Sequence, residues 1–171
     1  MKQNSNKAKP TTAVFVDVQN IYYTTKQIFG RNFDYNALWA EIRKDHIIKT
    51  ACAYAINRGD DKQRQFQNIL RGIGFEVKLK PFIQRSDGTA KGDWDVGITI
   101  DIMEVYPSVD SIILLSGDGD FDLLLQKITQ NEKKAYVYGV DALSAESLIS
   151  SATKFRPIDD SLLLYTRQPH L

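Results

Sequence analysis

The chain has 171 residues, of which 43% are hydrophobic and 25% charged, the size and balance of a soluble globular protein with one core-bearing domain. With 22 lysines and arginines against 21 acids the net charge is +1, so overall charge singles out no partner. The single cysteine, Cys52, excludes an internal disulfide and the distant pair His46 and His170 excludes a zinc site of the usual spacing; no apolar run approaches the roughly 20 residues that span a bilayer, so the expected protein is cytoplasmic and free of the membrane.

Residues 1–11 are polar, carry lysines and lead into no apolar signal region, and are expected to form a disordered tail. A single domain is expected over 12–165, with 166–171 as a C-terminal tail. Apolar, β-rich runs recur at 12–18, 50–56, 75–82, 111–116 and 135–139. The runs Ala13-Val14-Phe15-Val16 and Ile112-Ile113-Leu114-Leu115 contain no polar alternation, which is the pattern of parallel strands buried on both faces. Segments between the strands carry helical spacing, as at Phe66/Ile69/Leu70/Ile73 and Phe121/Leu124/Leu125/Ile128. Residues 86–89 read as an exposed turn, 144–153 as a short helix and 158–165 as a terminal helix. Alternating strands and crossovers predict an α/β fold, a three-layer α/β/α sandwich around a mainly parallel sheet.

Acidic motifs stand where those elements end or begin: Val16-Asp17-Val18-Gln19-Asn20, Lys91-Gly92-Asp93-Trp94-Asp95-Val96 and Ser116-Gly117-Asp118-Gly119-Asp120-Phe121. In open α/β sheets the carboxyl ends of the strands are where ligands bind. Carboxylates gathered there are the usual means of holding Mg²⁺ or Mn²⁺. The plainer alternative is that Asp17 caps the next helix and that Asp118 and Asp120 serve the N-terminus of the helix carrying Phe121 and Leu124. Capping accounts poorly for Asp118, Asp120 and Asp122 together, because like charges about 4 Å apart repel by roughly 4 kcal/mol at an effective dielectric near 20. If 93–106 is helical, Trp94, Ile98, Ile102 and Val105 form its buried stripe, Asp95 lies at the margin and Asp93 points to solvent. Asp101 then falls near the buried face, where it needs a partner, a water link to the cluster, or a proton. Asp95 is therefore the expected ligand and Asp101 its support.

The local charge pattern says more than the total. Between Arg58 and Lys91 there are eight lysines and arginines against four acids, whereas Asp93 to Gln126 holds acids and no lysine or arginine. Such a basic arm before an acidic centre suits a phosphodiester chain gripped by cations; for individual positions such as Lys62 and Lys78 a merely solvated surface is the plainer account. Tyr22, Tyr23, Trp39 and Tyr54 are core or groove-wall residues before they are base-stacking ones. No G-x-x-x-x-G-K-[ST] or G-x-G-x-x-G occurs. The EF-hand pattern fails at Leu123 and Thr129, and a strand-end aspartyl phosphotransferase would need an acid where Gln19 stands.

The three motifs, in their order and with Asp101 six residues after Asp95, closely resemble the NYN-domain family, and within it the LabA-like branch. The likeness runs from about residue 12 to 158. It implies a PIN-like Rossmannoid nuclease fold, Mg²⁺ or Mn²⁺ at a carboxylate cluster, and action on RNA. By position, Asp17, Asp95, Asp118 and Asp120 match the acidic cluster and Asn20 the polar residue after the first Asp. Trp94 departs from the family, which more often has a small aliphatic residue there. The expected function is thus a metal-dependent ribonuclease acting on single-stranded RNA. Asp17, Asp95, Asp118 and Asp120 would be metal ligands and catalytic residues, with Asn20, Asp101, Ser116 and Asp122 in support. Arg58, Arg64 and Lys91 would bind substrate. A non-catalytic RNA-binding or regulatory adaptor on the same fold is the alternative, a small-phosphoester phosphatase a third class, and a homo-oligomeric state stays open.

Overall fold

The computed structural model describes residues 8–81, 83–84, 90–91 and 93–165, with Ile83, Gln84, Ala90 and Lys91 described by their backbone alone. The expected turn at 86–89, His170 and most of both expected tails lie outside the described residues. In chain order the elements are β1 (Thr11–Asp17), α1 (Val18–Phe29), α2 (Tyr35–Asp45), β2 (Ile47–Asn57), α3 (Asp61–Ile73), β3 (Glu76–Pro81), β4 (Ile83–Gln84), β5 (Ala90–Lys91), α4 (Asp95–Val105), β6 (Ser111–Leu115), α5 (Asp122–Gln130), β7 (Lys134–Gly139), α6 (Glu146–Ser151) and β8 (Lys154–Pro157).

A six-stranded sheet of order β3-β2-β1-β6-β7-β8 is parallel throughout. β4 and β5 form a separate antiparallel pair. In β1 the alternation of the pleat sends Val14 and Val16 to one core, with Ile21, Leu38, Ile42 and Leu70. Ala13 and Phe15 go to the other, with Ile98, Ile102, Leu125 and Leu148. Helices thus cover both faces, which is why the strands read as unbroken apolar runs. Registers Val16↔Leu115 and Asp17↔Tyr54 bring the carboxyl ends of β1, β2 and β6 to one edge.

Three expectations change. The terminal helix over 158–165 is a single 3₁₀ turn, Asp160–Leu162. Asp159 caps that turn through the Ser161 amide, and Leu163, in extended backbone, bridges to Phe33. Ile158 and Leu162 are buried as a helical stripe would have them, so the spacing alone misled. The predicted α3 stripe is also rotated: Ile69 is exposed, while Gln67 is buried and its Nε2 lacks a hydrogen-bond partner among the described residues. Finally β8, with Phe155 as its one large apolar residue and Pro157 at its end, is an edge strand too weakly patterned to be foreseen. Among the described residues no helix is long and apolar enough to cross a membrane.

Candidate metal centre

Asp17 ends β1 and is almost buried, at 8% exposure. Its carboxylate accepts the Asn20 amide at 3.4 Å and the Ser116 hydroxyl at 3.2 Å. Ser116 Oγ in turn accepts the Asp118 amide at 3.2 Å, and the Asn20 side-chain oxygen accepts the Gly117 amide at 2.9 Å. These bonds clamp the ends of β1 and β6 together. Asp118 Oδ1 accepts the Asp120 amide at 2.9 Å and so folds the 3₁₀ turn Gly119–Phe121 that presents both acids. Gly117 permits a close approach of the next loop: a Cβ there would stand 3.0 Å from the Leu143 carbonyl oxygen.

The first turn of α4 brings in Asp95. Helix α4 begins at Asp95 rather than 93, and exposed Asp93 lies just before it, its Oδ1 accepting the Asp95 amide at 3.2 Å. Asp95, Asp118 and Asp120 meet: each offers one oxygen, and the oxygens lie within 4.8 Å of one another. Opposed oxygens around Mg²⁺ stand about 4.2 Å apart at metal–oxygen distances near 2.1 Å, so the trio lies near that span, and three carboxylate oxygens are the donor chemistry of a hard divalent cation. Among the described residues no lysine or arginine pairs with any of the three. Asp17 stands outside the trio but is linked to it through Ser116.

Proton affinity records the crowding. Burial, then the Asp118 carboxyl beside it, then the charges of Asp93 and Asp17 push Asp95 up to about 8. Burial pushes Asp17 up to about 6, against the opposing hydrogen bonds from Asn20 and Ser116 and with help from the charges of Asp118 and Asp93. A cation entering this site must displace those protons. Mn²⁺ affinity is therefore expected to rise by up to about tenfold per pH unit between pH 6 and 8 and to level off above it, as one proton is released per ion bound. Titration calorimetry at pH 6, 7 and 8 checks this, and a pH-independent affinity would contradict the site.

The other expected residues sort themselves around this centre. Asp122 opens α5 and accepts the Leu123 amide at 2.6 Å. Asp101 is taken up by Tyr54 OH and Lys78 Nζ, each at 2.7 Å, so of the three states open to it the structure has the paired one. Burial pushes Asp101 up, but Lys78 and Tyr54 outweigh it and hold the carboxylate below its ordinary range. Trp94 ties α4 to β2 by donating to the Ala55 carbonyl at 2.9 Å, and Lys80 lies over its ring at 4.4 Å. A Cβ on Gly97 would sit 2.6 Å from that indole, so glycine there makes the room that Trp94 fills. The Arg58 guanidinium donates to Tyr23 OH at 3.3 Å, and exposed Arg64 lies 4.0 Å from Asp61. The Lys91 side chain lies outside the described residues. Of the four aromatic candidates, Tyr54 is buried, Trp39 packs on the core, and Tyr22 and Tyr23 are half-exposed. Lys78 as partner of Asp101 had no sequence signal, since it comes from strand β3 and Asp101 from helix α4.

Residues 11–159 match the model of the NYN domain. The chain is 26% identical over 167 residues to the "Low amplitude and bright protein LabA" of Synechococcus elongatus, covering 92% of this chain and 89% of that protein. It is also similar to a protein of unknown function from Vibrio parahaemolyticus, known from a crystal structure. There the identity is 54% and the TM-score 0.87, with 92% of this chain and 98% of that chain covered.

Proposed function

The chain belongs to the NYN-domain family, in its LabA-like branch, and from that premise we propose that it is a divalent-metal-dependent ribonuclease acting on single-stranded RNA. The observation that carries this reading is the trio Asp95, Asp118 and Asp120, three carboxylates whose oxygens converge within 4.8 Å without a basic partner among the described residues. These three would hold the cation, with Asp17 completing the acidic wall. When bound, Mg²⁺ or Mn²⁺ supplies a water activated for in-line attack and neutralises charge on the phosphate and the leaving oxygen. Ser116 and Asn20 keep Asp17 and the Asp118 turn in register, so the carboxylates meet a substrate without rearranging. Arg58, Arg64 and Lys91 supply positive charge for the phosphate chain, and the products carry a 5′-phosphate and a 3′-hydroxyl.

The deciding experiment incubates the purified protein with labelled single-stranded RNA and DNA in Mn²⁺, in Mg²⁺ and in chelator. Cleavage of RNA only with metal supports the proposal, and RNA binding without cleavage in either metal returns the adaptor reading. Within the centre, position predicts effect. Asp95→Asn removes a ligand and is expected to lower the cleavage rate by about a hundredfold. Asp93→Asn, which keeps an acceptor for the Asp95 amide, is expected to change it by less than about threefold. Equal losses in single-turnover assays would show that Asp93 belongs to the cluster.

A further inference from the structure

A cleft of about 470 Å³ opens where α1, α3 and the segment around Phe33 and Tyr35 come together, a size within the ~300–1,000 Å³ of small-ligand sites. Its floor is aromatic and locked: buried Phe33 and Tyr35 meet edge to face at 4.9 Å, and Tyr35 meets Phe66 at 5.7 Å. Its mouth differs in kind. Tyr22 and Tyr23 are 51% and 50% exposed there, and Arg58, bonded to Tyr23 OH, stands on the rim with Lys62. Among the described residues the one acid of the rim is Asp60, whose carboxylate caps α3 by accepting the Gln63 amide at 2.7 Å. The lining of the cleft includes Val18 and Gln19, the two residues after Asp17, so one end of it lies on the first turn of α1, next in the chain to the carboxylate that Ser116 links to the Asp118 turn.

Flat aromatic walls within and cations at the mouth are complementary to a nucleotide. The base finds apolar faces to stack on, and its phosphates find Arg58 and Lys62. A base paired in a duplex cannot enter a recess of this kind without being splayed out, so the cleft selects single strands. We propose that this cleft seats one unpaired base of the substrate, beside the phosphate presented to Asp95, Asp118 and Asp120; the inference rests on the ribonuclease reading of that centre. The base side and the reaction side of the substrate then lie on opposite flanks of the start of α1.

The test uses a short single-stranded oligoribonucleotide in chelator, with one abasic nucleotide walked along it, and wild-type protein against Y22A/Y23A. Because both tyrosines are half-exposed, the variant keeps the core intact. One abasic position is expected to weaken wild-type binding by about tenfold or more, the rest far less. The variant is expected to lose a similar factor with the intact oligonucleotide and to be indifferent to the abasic nucleotide at that one position. Wild-type binding and metal-dependent cleavage with no such position, or with losses that simply add, would overturn the cleft and leave the ribonuclease standing. A clear position-specific loss in a protein that cleaves with neither metal would keep the cleft and remove the ribonuclease. Failure of wild type to bind single-stranded RNA would remove both.

Discussion

Asp118→Asn is expected to lower metal-dependent cleavage of single-stranded RNA by at least about a hundredfold while leaving the fold unchanged, the scale of loss when one preorganised electrostatic group is removed from a reaction centre. The substitution is well isolated. Asparagine keeps an oxygen to accept the Asp120 amide, so the 3₁₀ turn that Asp118 caps survives, and only the charge and one donor oxygen to the cation are lost. Asp17→Asn is expected to act in the same direction, because Asp17 adds the wall of negative charge linked to Asp118 through Ser116. Gel assays with labelled RNA, alongside circular dichroism of each variant, measure both halves. Wild-type protein that cleaves equally in chelator, or a variant that cleaves like wild type, would contradict the metal-centre reading.

Mn²⁺ is expected to raise the melting temperature of the wild-type protein by about 5–10 °C at a hundredfold excess over its Kd. The stabilisation is RT ln(1 + [L]/Kd), about 2.7 kcal/mol, spread over the unfolding entropy of a domain of this length. Without metal, the site itself costs stability in a pH-dependent way. Asp17 and Asp95 hold protons up to about 6 and about 8 in the folded state, against an unfolded value near 3.9. The folded chain therefore binds more protons than the unfolded chain across that window, and the contribution of the site to stability falls as pH climbs from about 4 through 8. Asp118→Asn relieves the repulsion: metal-free, it is expected to melt at or above wild type with a flatter pH slope, and its response to Mn²⁺ should shrink. An aspartate that served only as a cap would leave any metal response untouched. Melts of both proteins at pH 5 and pH 8, with Mn²⁺ and with chelator, separate the two roles.

The parts of the molecule that were legible beforehand are those whose signal is local. Ala13 to Val16 and Ile112 to Leu115 announced buried parallel strands because both faces of each are covered, and Phe121, Leu124, Leu125 and Ile128 are indeed all buried. The acids Asp17, Asp118 and Asp120 could be placed because they follow such strands directly, and Asp95 because the buried Ile98 and Ile102 fix the register of α4. What escaped was decided at a distance. Lys78 reaches Asp101 from a strand 23 residues earlier, Leu163 leaves the helical path to bridge Phe33, and the cleft beside Asp17 is walled by segments that only the tertiary fold brings together. Periodicity cannot report such meetings.

The clamp between Ser116 and Asp17 spans 99 positions of sequence. A ribosome working at about 5–20 residues per second needs roughly 5–20 s to bridge that gap. Throughout it β1, the strand destined for the middle of the sheet, lacks β6, and only once residues Ile47–Asn57 have been made does it have β2 to pair with. Pairings of such long range also form late, since the chain must close a large loop before any contact rewards it. An emerging polypeptide therefore carries Asp17 for most of its synthesis without the turn that supplies Asp118 and Asp120. On the proposed metal-centre reading, the capacity to hold a cation arrives only once β6 has paired with β1, and a nascent chain that ends before β6 would be inert towards RNA.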